Sequence, residues 1–355
     1  MTRLRAAAAV GGGLVLAAVG GGLGIPYLAK VGGSVTTLVG LTLFGLGLAL
    51  AVWGAIALIR AAHRWGRLGM LLAVLAATYV IVPTIAVAVA ATHVPRAALG
   101  DATPADVGLE YTDVQFRASD GVRLSGWYVP SRNGDAVVLL HGAGSTRTAT
   151  LAHARVLADL GYGVLLYDVR GHGRSAGRAM DFGWFGDRDV AGAVRFVKAR
   201  PDAAGGRVLA VGLSMGGEEA VGALPAVPDL CAVVAEGATA RTAADKSWLS
   251  DAYGARGWVQ EGLDRLRFGL TDLLTSASSP RSLRSAVAAA APRRVLLIAA
   301  GREPDEGKAA AYIASGAPGA VTVWVAPGAG QTGVLDARRA EWIQRVGDFL
   351  AAAPC

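Results

Sequence analysis

The sequence predicts an α/β domain, a mainly parallel sheet with helices on both faces, preceded by an all-α region of about three membrane-crossing helices. Two observations carry this. From residue 101 onward, β-rich runs alternate with helical stretches, the order that builds a parallel sheet with crossover helices. Before that point three charge-free apolar runs follow one another, and residues 1–100 contain no Asp or Glu.

The first hundred residues hold seven cations, Arg3, Arg5, Lys30, Arg60, Arg64, Arg67 and Arg96, and the rest of the chain balances 27 Lys and Arg against 27 Asp and Glu. The net charge of +7 therefore belongs to the N-terminal region. A nucleic-acid partner is set aside, because it would require a basic face on a domain that is formally neutral.

The runs at 6–28, 35–59 and 68–91, within a region of residues 1–95, each reach the roughly 20 residues that cross a ~30 Å hydrocarbon core. "MTRLR" would suit the start of a cleaved signal peptide, but the run behind it is long, Gly-rich and without a clear A-x-A site. Pro26 and Pro83 are tolerable where neighbouring helices re-satisfy freed backbone groups. Arg3 and Arg5 precede the first run, and Arg60, Arg64 and Arg67 join the second to the third. Positive-inside logic then expects a multi-pass membrane protein in contact with lipid, its N-terminus cytoplasmic and everything after about Thr92 extracytoplasmic. His63 and His93 fall at the membrane edges as interfacial side chains.

Residues 101–355 suffice for one large domain with a sizeable core. "YTDVQFRAS" and "VRLSGWYVP" flank Asp120-Gly121 as a hairpin. There follow the strand of "AVVLLHGAGS", a helix over about Thr146–Leu160 closed by Gly161, the strand of "GVLLYDVRGHG" and a helix over about Asp187–Ala199 stopped by Pro201. "RVLAVGLSMGG", a short helix, "LCAVVAEG", a helical insert, "RVLLIAAG", a helix near Gly307–Ala314, "VTVWVAPGAG" and a last helix complete the order. Two cysteines, Cys231 and Cys355, are too few for a disulfide scaffold. Cys231 reads as a small core residue, and nothing in the sequence assigns a role to Cys355.

"GLSMGG" (Gly212–Gly217) lies between a buried strand pattern and a helix. It fits the G-x-S-x-G elbow, whose glycines allow the tight turn that presents a serine hydroxyl, here Ser214. "HGAGS" (His141–Ser145) ends an earlier strand, where a second oxyanion donor belongs. The amides of Met215 and Ala143 are the expected oxyanion hole.

The succession "LLHGAGS", "YDVRGHGRS", "GLSMGG", "VLLIAAG", "VAPGAGQTG" resembles the α/β-hydrolase superfamily, particularly bacterial membrane-anchored serine hydrolases, over about residues 108–355. The resemblance implies an acid after a late strand and a histidine after the last one. Glu303, Asp305 and Glu306 are the acid candidates; Asp305 is preferred, although spacing alone does not separate the three. "RGHGRS" (Arg170–Ser175) is typical of the family and reads as a structural turn.

At the histidine position this chain has Gln331, and no histidine follows His172. A Gln can imitate histidine's geometry, donating its NH2 to an acid and accepting the serine hydroxyl with its carbonyl. It takes no proton at any useful pH, so Ser214 would lack a general base. His141 and His172 belong to loops that hold structure, and His153 is expected on the outer side of its helix. No spacing such as H-E-x-x-H or paired C-x-x-C suggests a metal, and no cofactor is implied.

The insert at about 241–292 carries Trp248, Tyr253, Trp258, Leu263, Leu266 and Phe268 among charged residues, the pattern of an amphipathic cap. Caps at this point roof the pocket in the superfamily, which implies hydrophobic acyl-ester substrates; the same aromatics would also serve simply to pack the lid. Two function classes follow. One is a membrane-anchored serine hydrolase impaired by Gln331; the other is a non-catalytic pseudo-hydrolase that binds a ligand or partner. Oligomeric state is not legible.

Overall fold

The computed structural model describes residues 2–94 and 97–355; Arg96, counted above among the N-terminal cations, lies outside the described residues. The chain divides into two compact units, one of residues up to 95 together with 262–276, the other of residues 96–261 with 277–355.

In the first unit, α1 (Arg3–Val31), α2 (Val35–Ala61) and α3 (Arg64–His93) enclose the three apolar runs. All three are long and apolar enough to cross a membrane. Thr2 and Ser34 cap α1 and α2, each side-chain oxygen accepting an amide proton of the first turn. Glycine sets how α1 meets α2. A Cβ on Gly13 would lie 2.8 Å from the Ala51 Cα, one on Gly24 2.6 Å from the Leu41 amide, and one on Gly54 2.8 Å from the Ala6 carbonyl. The two backbones therefore touch where any side chain would hold them apart, as small residues allow in membrane helices.

The second unit is built on eight strands: β1 (Thr112–Arg117), β2 (Arg123–Val129), β3 (Ala136–Leu140), β4 (Gly163–Asp168), β5 (Val208–Leu213), β6 (Leu230–Glu236), β7 (Arg294–Ala300) and β8 (Val321–Ala326). They form one sheet in the order β1-β2-β4-β3-β5-β6-β7-β8. β2 runs antiparallel to β1 and β4, and all other pairs are parallel. The hairpin turn at Asp120-Gly121 is present, with Arg117 opposite Arg123. β3, β4, β5 and β6 are buried along their whole length, which is why they read as continuous apolar runs rather than alternations.

Helices α4 (Leu151–Asp159), α5 (Gly186–Lys198), α6 (Met215–Ala223), α9 (Leu283–Ala290), α10 (Pro304–Ala314) and α12 (Arg339–Ala351) cover the two faces; α7 (Leu249–Tyr253), α8 (Ala255–Leu274) and α11 (Val334–Ala337) complete the order, with the residues of α8 from 262 onward belonging to the first unit. One core gathers Leu140, Tyr167, Val190, Val221 and Ile313, and the other Leu139, Leu166, Val211, Trp342 and Leu350. Neighbouring residues of a strand thus feed opposite cores. Within the stretch read as cap, α9 buries Leu283, Ala286 and Val287 in the first core, so its last helix covers the sheet.

The structure adds to or corrects three sequence expectations. Cys231, at the start of β6, is a core residue as expected and is also disulfide-bonded to Cys355, to which the sequence assigned no role. The C-terminal residues return beside β6, a contact that no local pattern encodes. His153 does not face outward: it is 6% exposed, and its ring meets that of Trp342 edge-on with centroids 5.3 Å apart. The apolar partner on α12 lies almost two hundred residues away in sequence. Trp258, counted with the apolar cap set, is 67% exposed.

The buried His153 predicts a pH response. Burial first, and the charge of Arg339 after it, push the imidazole down to about 4, with Asp336 opposing. The unfolded chain then takes up the proton first as pH falls. Stability from this site is whole above about pH 6.5 and is lost as pH falls toward 4, roughly 3 kcal/mol at the limit. His153→Phe is expected to shrink the fall in Tm between pH 7.5 and 4.5; an unchanged fall would remove His153 from the account.

Candidate active site

β5 ends at Leu213 and α6 starts at Met215, so Ser214 alone makes the turn, with φ 51° and ψ −120°. That is a left-handed conformation rarely held by a non-glycine residue and maintained only where the surroundings over-determine it. The surroundings do so here. The Ser214 amide donates to the Glu236 carbonyl at 2.7 Å, and the Ser214 carbonyl accepts from Gly217 and Glu218 at 2.9 and 3.1 Å. A Cβ on Gly216 would lie 2.6 Å from the His141 carbonyl, so only glycine lets the turn settle against the end of β3. The motif spacing is thus a packing requirement.

On the other side, a Cβ on Gly142 would sit 3.3 Å from the Ser214 Cβ. The loop of Ala143 therefore borders the serine, and Ala143 is exposed on it. Met215, the other expected oxyanion donor, opens α6 and is buried. The histidines around this loop are structural. His141 is wholly buried, its Nδ1 meeting the Gly142 carbonyl at 2.9 Å while Nε2 accepts from the Val169 amide at 3.1 Å. Burial holds it down to about 4, neutral at physiological pH. His172 accepts the Gly144 amide at Nε2 (3.3 Å) and meets the Arg170 carbonyl at Nδ1 (3.1 Å). "RGHGRS" is likewise scaffolding: Asp168 accepts the amides of Arg147 and Arg174 at 3.0 and 2.9 Å, and Arg170 pairs with Asp120 and Asp189.

Gln331 reaches the serine: its Nε2 donates to Ser214 Oγ at 3.5 Å. The orientation is the reverse of the expected one, in which the carbonyl would have accepted the hydroxyl and the NH2 faced an acid. The loop is firmly set by its neighbours. Thr332 takes a left-handed φ of 54°, and Gly333 donates to the Gly330 carbonyl at 3.0 Å. Glu236 Oε1 accepts the Val334 amide at 2.9 Å, and its Oε2 accepts Trp342 Nε1 at 3.0 Å. This glutamate is 1% exposed and burial raises its carboxyl. Its backbone holds Ser214 and its side chain holds the Gln331 loop, a double role that a residue ending an apolar strand did not advertise.

The acids after β7 separate clearly. Asp305, preferred from the sequence, turns to the cap: Oδ1 accepts from the Tyr253 hydroxyl, and Lys308 Nζ bonds that same hydroxyl oxygen at 2.6 Å. Glu306 turns inward. It is 5% exposed, and its Oε2 accepts the Ala300 amide at 2.8 Å. A Cβ on Gly237 would lie 3.5 Å from Thr332 Cγ2 and 3.6 Å from both Glu306 Oε1 and Gln331 Cγ, so the two side chains border the same glycine. Burial raises the Glu306 carboxyl, with the Ala300 amide opposing.

Beside Gln331 opens a cavity of about 480 Å³, within the range of small-molecule sites. Its wall mixes Trp248, Leu249 and Tyr253 with Lys246, Arg256 and Glu303. That is a more polar lining than the acyl pocket expected from the cap's aromatics.

The comparisons with known proteins agree with this fold. The protein-family model described as "Serine aminopeptidase, S33" matches residues 131–290. An uncharacterized protein of Mycobacterium tuberculosis is 34% identical over 113 residues, 31% of this chain and 40% of that one. The α/β-hydrolase domain-containing protein WAV2 of Arabidopsis thaliana is 30% identical over 126 residues, 34% of this chain and 40% of the relative. The chain thus spans about two fifths of the length of these curated relatives. An esterase of Pyrococcus furiosus is 25% identical, with a TM-score of 0.59 and coverage of 74% of this chain and 98% of that structure. With a serine held in a strained turn after the fifth of eight strands, and with an esterase structure of like fold among its neighbours, the chain has the α/β-hydrolase fold.

Proposed function

We propose that this protein is a membrane-anchored serine hydrolase of esterase type whose turnover is limited by the side chain at its general-base position. The observation that carries the reading is the Gln331–Ser214 contact. Ser214 Oγ would attack an acyl carbon while the Met215 and Ala143 amides stabilise the oxyanion. In a working triad the base removes the hydroxyl proton and delivers it to the leaving group. Neither end of an amide accepts a proton at neutral pH, so that step falls to water, and the residual rate is what binding and the oxyanion hole supply. The proposed acid position is Glu306, which is buried and borders Gly237 as Gln331 does, in preference to Asp305.

The hydrolase domain is proposed to lie outside the cytoplasm, with the N-terminus inside. The cations around α1, α2 and α3 support this, as does the Cys231–Cys355 disulfide, since such bonds persist in oxidising compartments. A second reading, a ligand-binding module without turnover, is favoured by the amide that already occupies the serine hydroxyl. Fluorophosphonate labelling of the full-length protein separates the two. Slow labelling that disappears in Ser214→Ala supports the enzyme; an unlabelled Ser214 in folded protein supports the binding module.

A further inference from the structure

The three long helices gather their positive charge at one end. α1 and α2 run antiparallel, since a Cβ on Gly24 would meet the Leu41 amide and one on Gly54 the Ala6 carbonyl, so the start of α1 lies beside the end of α2. There Arg3 Nη2 donates to the Ala61 carbonyl at 2.8 Å. α3 begins at Arg64, and Arg67 Nε turns back to the Ala62 carbonyl at 3.4 Å. Arg3, Arg5, Arg60, Arg64 and Arg67, from two separate stretches of sequence, therefore meet at one end of the helical unit, all exposed. Among the described residues the opposite end carries Lys30 and His93. Nothing balances the five arginines locally: residues 1–100 contain no Asp or Glu. The groups they meet are the carbonyls of Ala61 and Ala62 and the Trp65 ring, over which the Arg64 guanidinium lies at 5.4 Å. The carbonyl end of α2 supplies only about half a negative charge. Trp65 is 78% exposed, and apolar side chains adjoin the arginines, Leu4 at 81% and Leu68 at 63% exposure.

We propose, resting on the membrane-anchored reading above, that this end of the helical unit binds anionic phospholipid headgroups. The arginine forks take phosphate oxygens in pairs. Trp65 sits at headgroup level, and Leu4 and Leu68 meet the upper acyl chains. Orientation in a membrane requires only that cations stay on one side; here two stretches are brought together into one patch, which is what a headgroup site needs. A choline lipid offers the same phosphate, but its own cation competes with the arginines. A nucleic acid offers phosphates too, yet it would leave Leu4 and Leu68 in water.

The test is native mass spectrometry of the full-length protein, released from detergent micelles that hold dioleoyl phosphatidylglycerol and dioleoyl phosphatidylcholine in equal amounts. The two lipids share their chains, so a difference reports the headgroup. Phosphatidylglycerol is expected to be retained about tenfold over phosphatidylcholine. Arg60→Gln with Arg64→Gln, and separately Arg5→Gln with Arg67→Gln, should bring that ratio below about threefold, whereas Lys30→Gln at the opposite end should leave it unchanged. Equal retention of the two lipids, a preference undiminished in both double variants, or an equal fall in Lys30→Gln overturns the proposal. So does equal lipid retention in a protein that shifts a single-stranded oligonucleotide, which would make the patch a nucleic-acid site. Carbonate extraction of membranes keeps the two readings apart. A protein that stays in the pellet without lipid preference loses this inference and keeps its anchor; one released to the supernatant loses both.

Discussion

Gln331→His is expected to raise hydrolysis of short p-nitrophenyl esters by about 10³- to 10⁴-fold, the scale on which triad members act. The reasoning is local. The Gln331 side chain already reaches Ser214 Oγ, from a loop fixed by Thr332, Gly333 and the Glu236 carboxyl. An imidazole on the same backbone would supply the missing acceptor without rebuilding the turn. The neighbouring histidines are otherwise employed: both ring nitrogens of His141 meet Gly142 and Val169, both of His172 meet Gly144 and Arg170, and His153 is packed on Trp342. Initial rates on the full-length protein, with Ser214→Ala as control, decide the matter. A folded Gln331→His protein that stays as slow as the parent would show that this loop is not the base position.

In that activated background the second large effect falls on Glu306. Glu306→Gln is expected to lower kcat by about 10³- to 10⁴-fold, whereas Asp305→Asn should cost less than about tenfold. Glu306 is buried and borders Gly237, as the residue-331 side chain does, and its other oxygen is fixed by the Ala300 amide. A carboxylate there would orient and charge-stabilise an imidazole. Asp305 instead faces Tyr253 on the cap. The Gln variant keeps the volume and an acceptor for Ala300, so that loss of rate is separable from loss of fold by the thermal unfolding midpoint. The reverse ranking would restore Asp305 to the role its sequence position suggested.

These assignments mark how far the sequence could be read. The succession of strands along the chain, the turn at Ser214 and the hairpin were legible because each rests on a local signature: continuous apolar runs, Gly-x-Ser-x-Gly, Asp-Gly. The acid was not, because Glu303, Asp305 and Glu306 occupy neighbouring positions where α10 begins, and the direction in which each points is decided by Tyr253 on one side and Gly237 on the other. The Cys231–Cys355 bond and the His153–Trp342 contact failed for a related reason, since both join residues more than a hundred positions apart. The polar character of the cavity was obscured because Trp248 and Tyr253 pointed to a hydrophobic acyl pocket, while Lys246, Arg256 and Glu303 beside them look like ordinary solvated residues.

The glycines that bring α1 against α2 bear on how the chain enters a membrane. Each glycine adds little to the apolar drive for insertion, and α1 is the least apolar of the three long helices and the most enclosed by its neighbours. On the membrane-spanning reading, α1 is a weak passenger by itself and becomes secure once α2 arrives to cover the exposed peptide groups at Gly13 and Gly24. The three residues between them, 32–34, are short enough for the pair to enter together as one hairpin. Removal of α1 by a processing protease would leave the facing surface of α2, with Gly40, Gly47 and Gly54, as bare backbone against lipid. On that reading the three helices are a folded object with its own architecture, in which the first helix is held by fit rather than by greasiness.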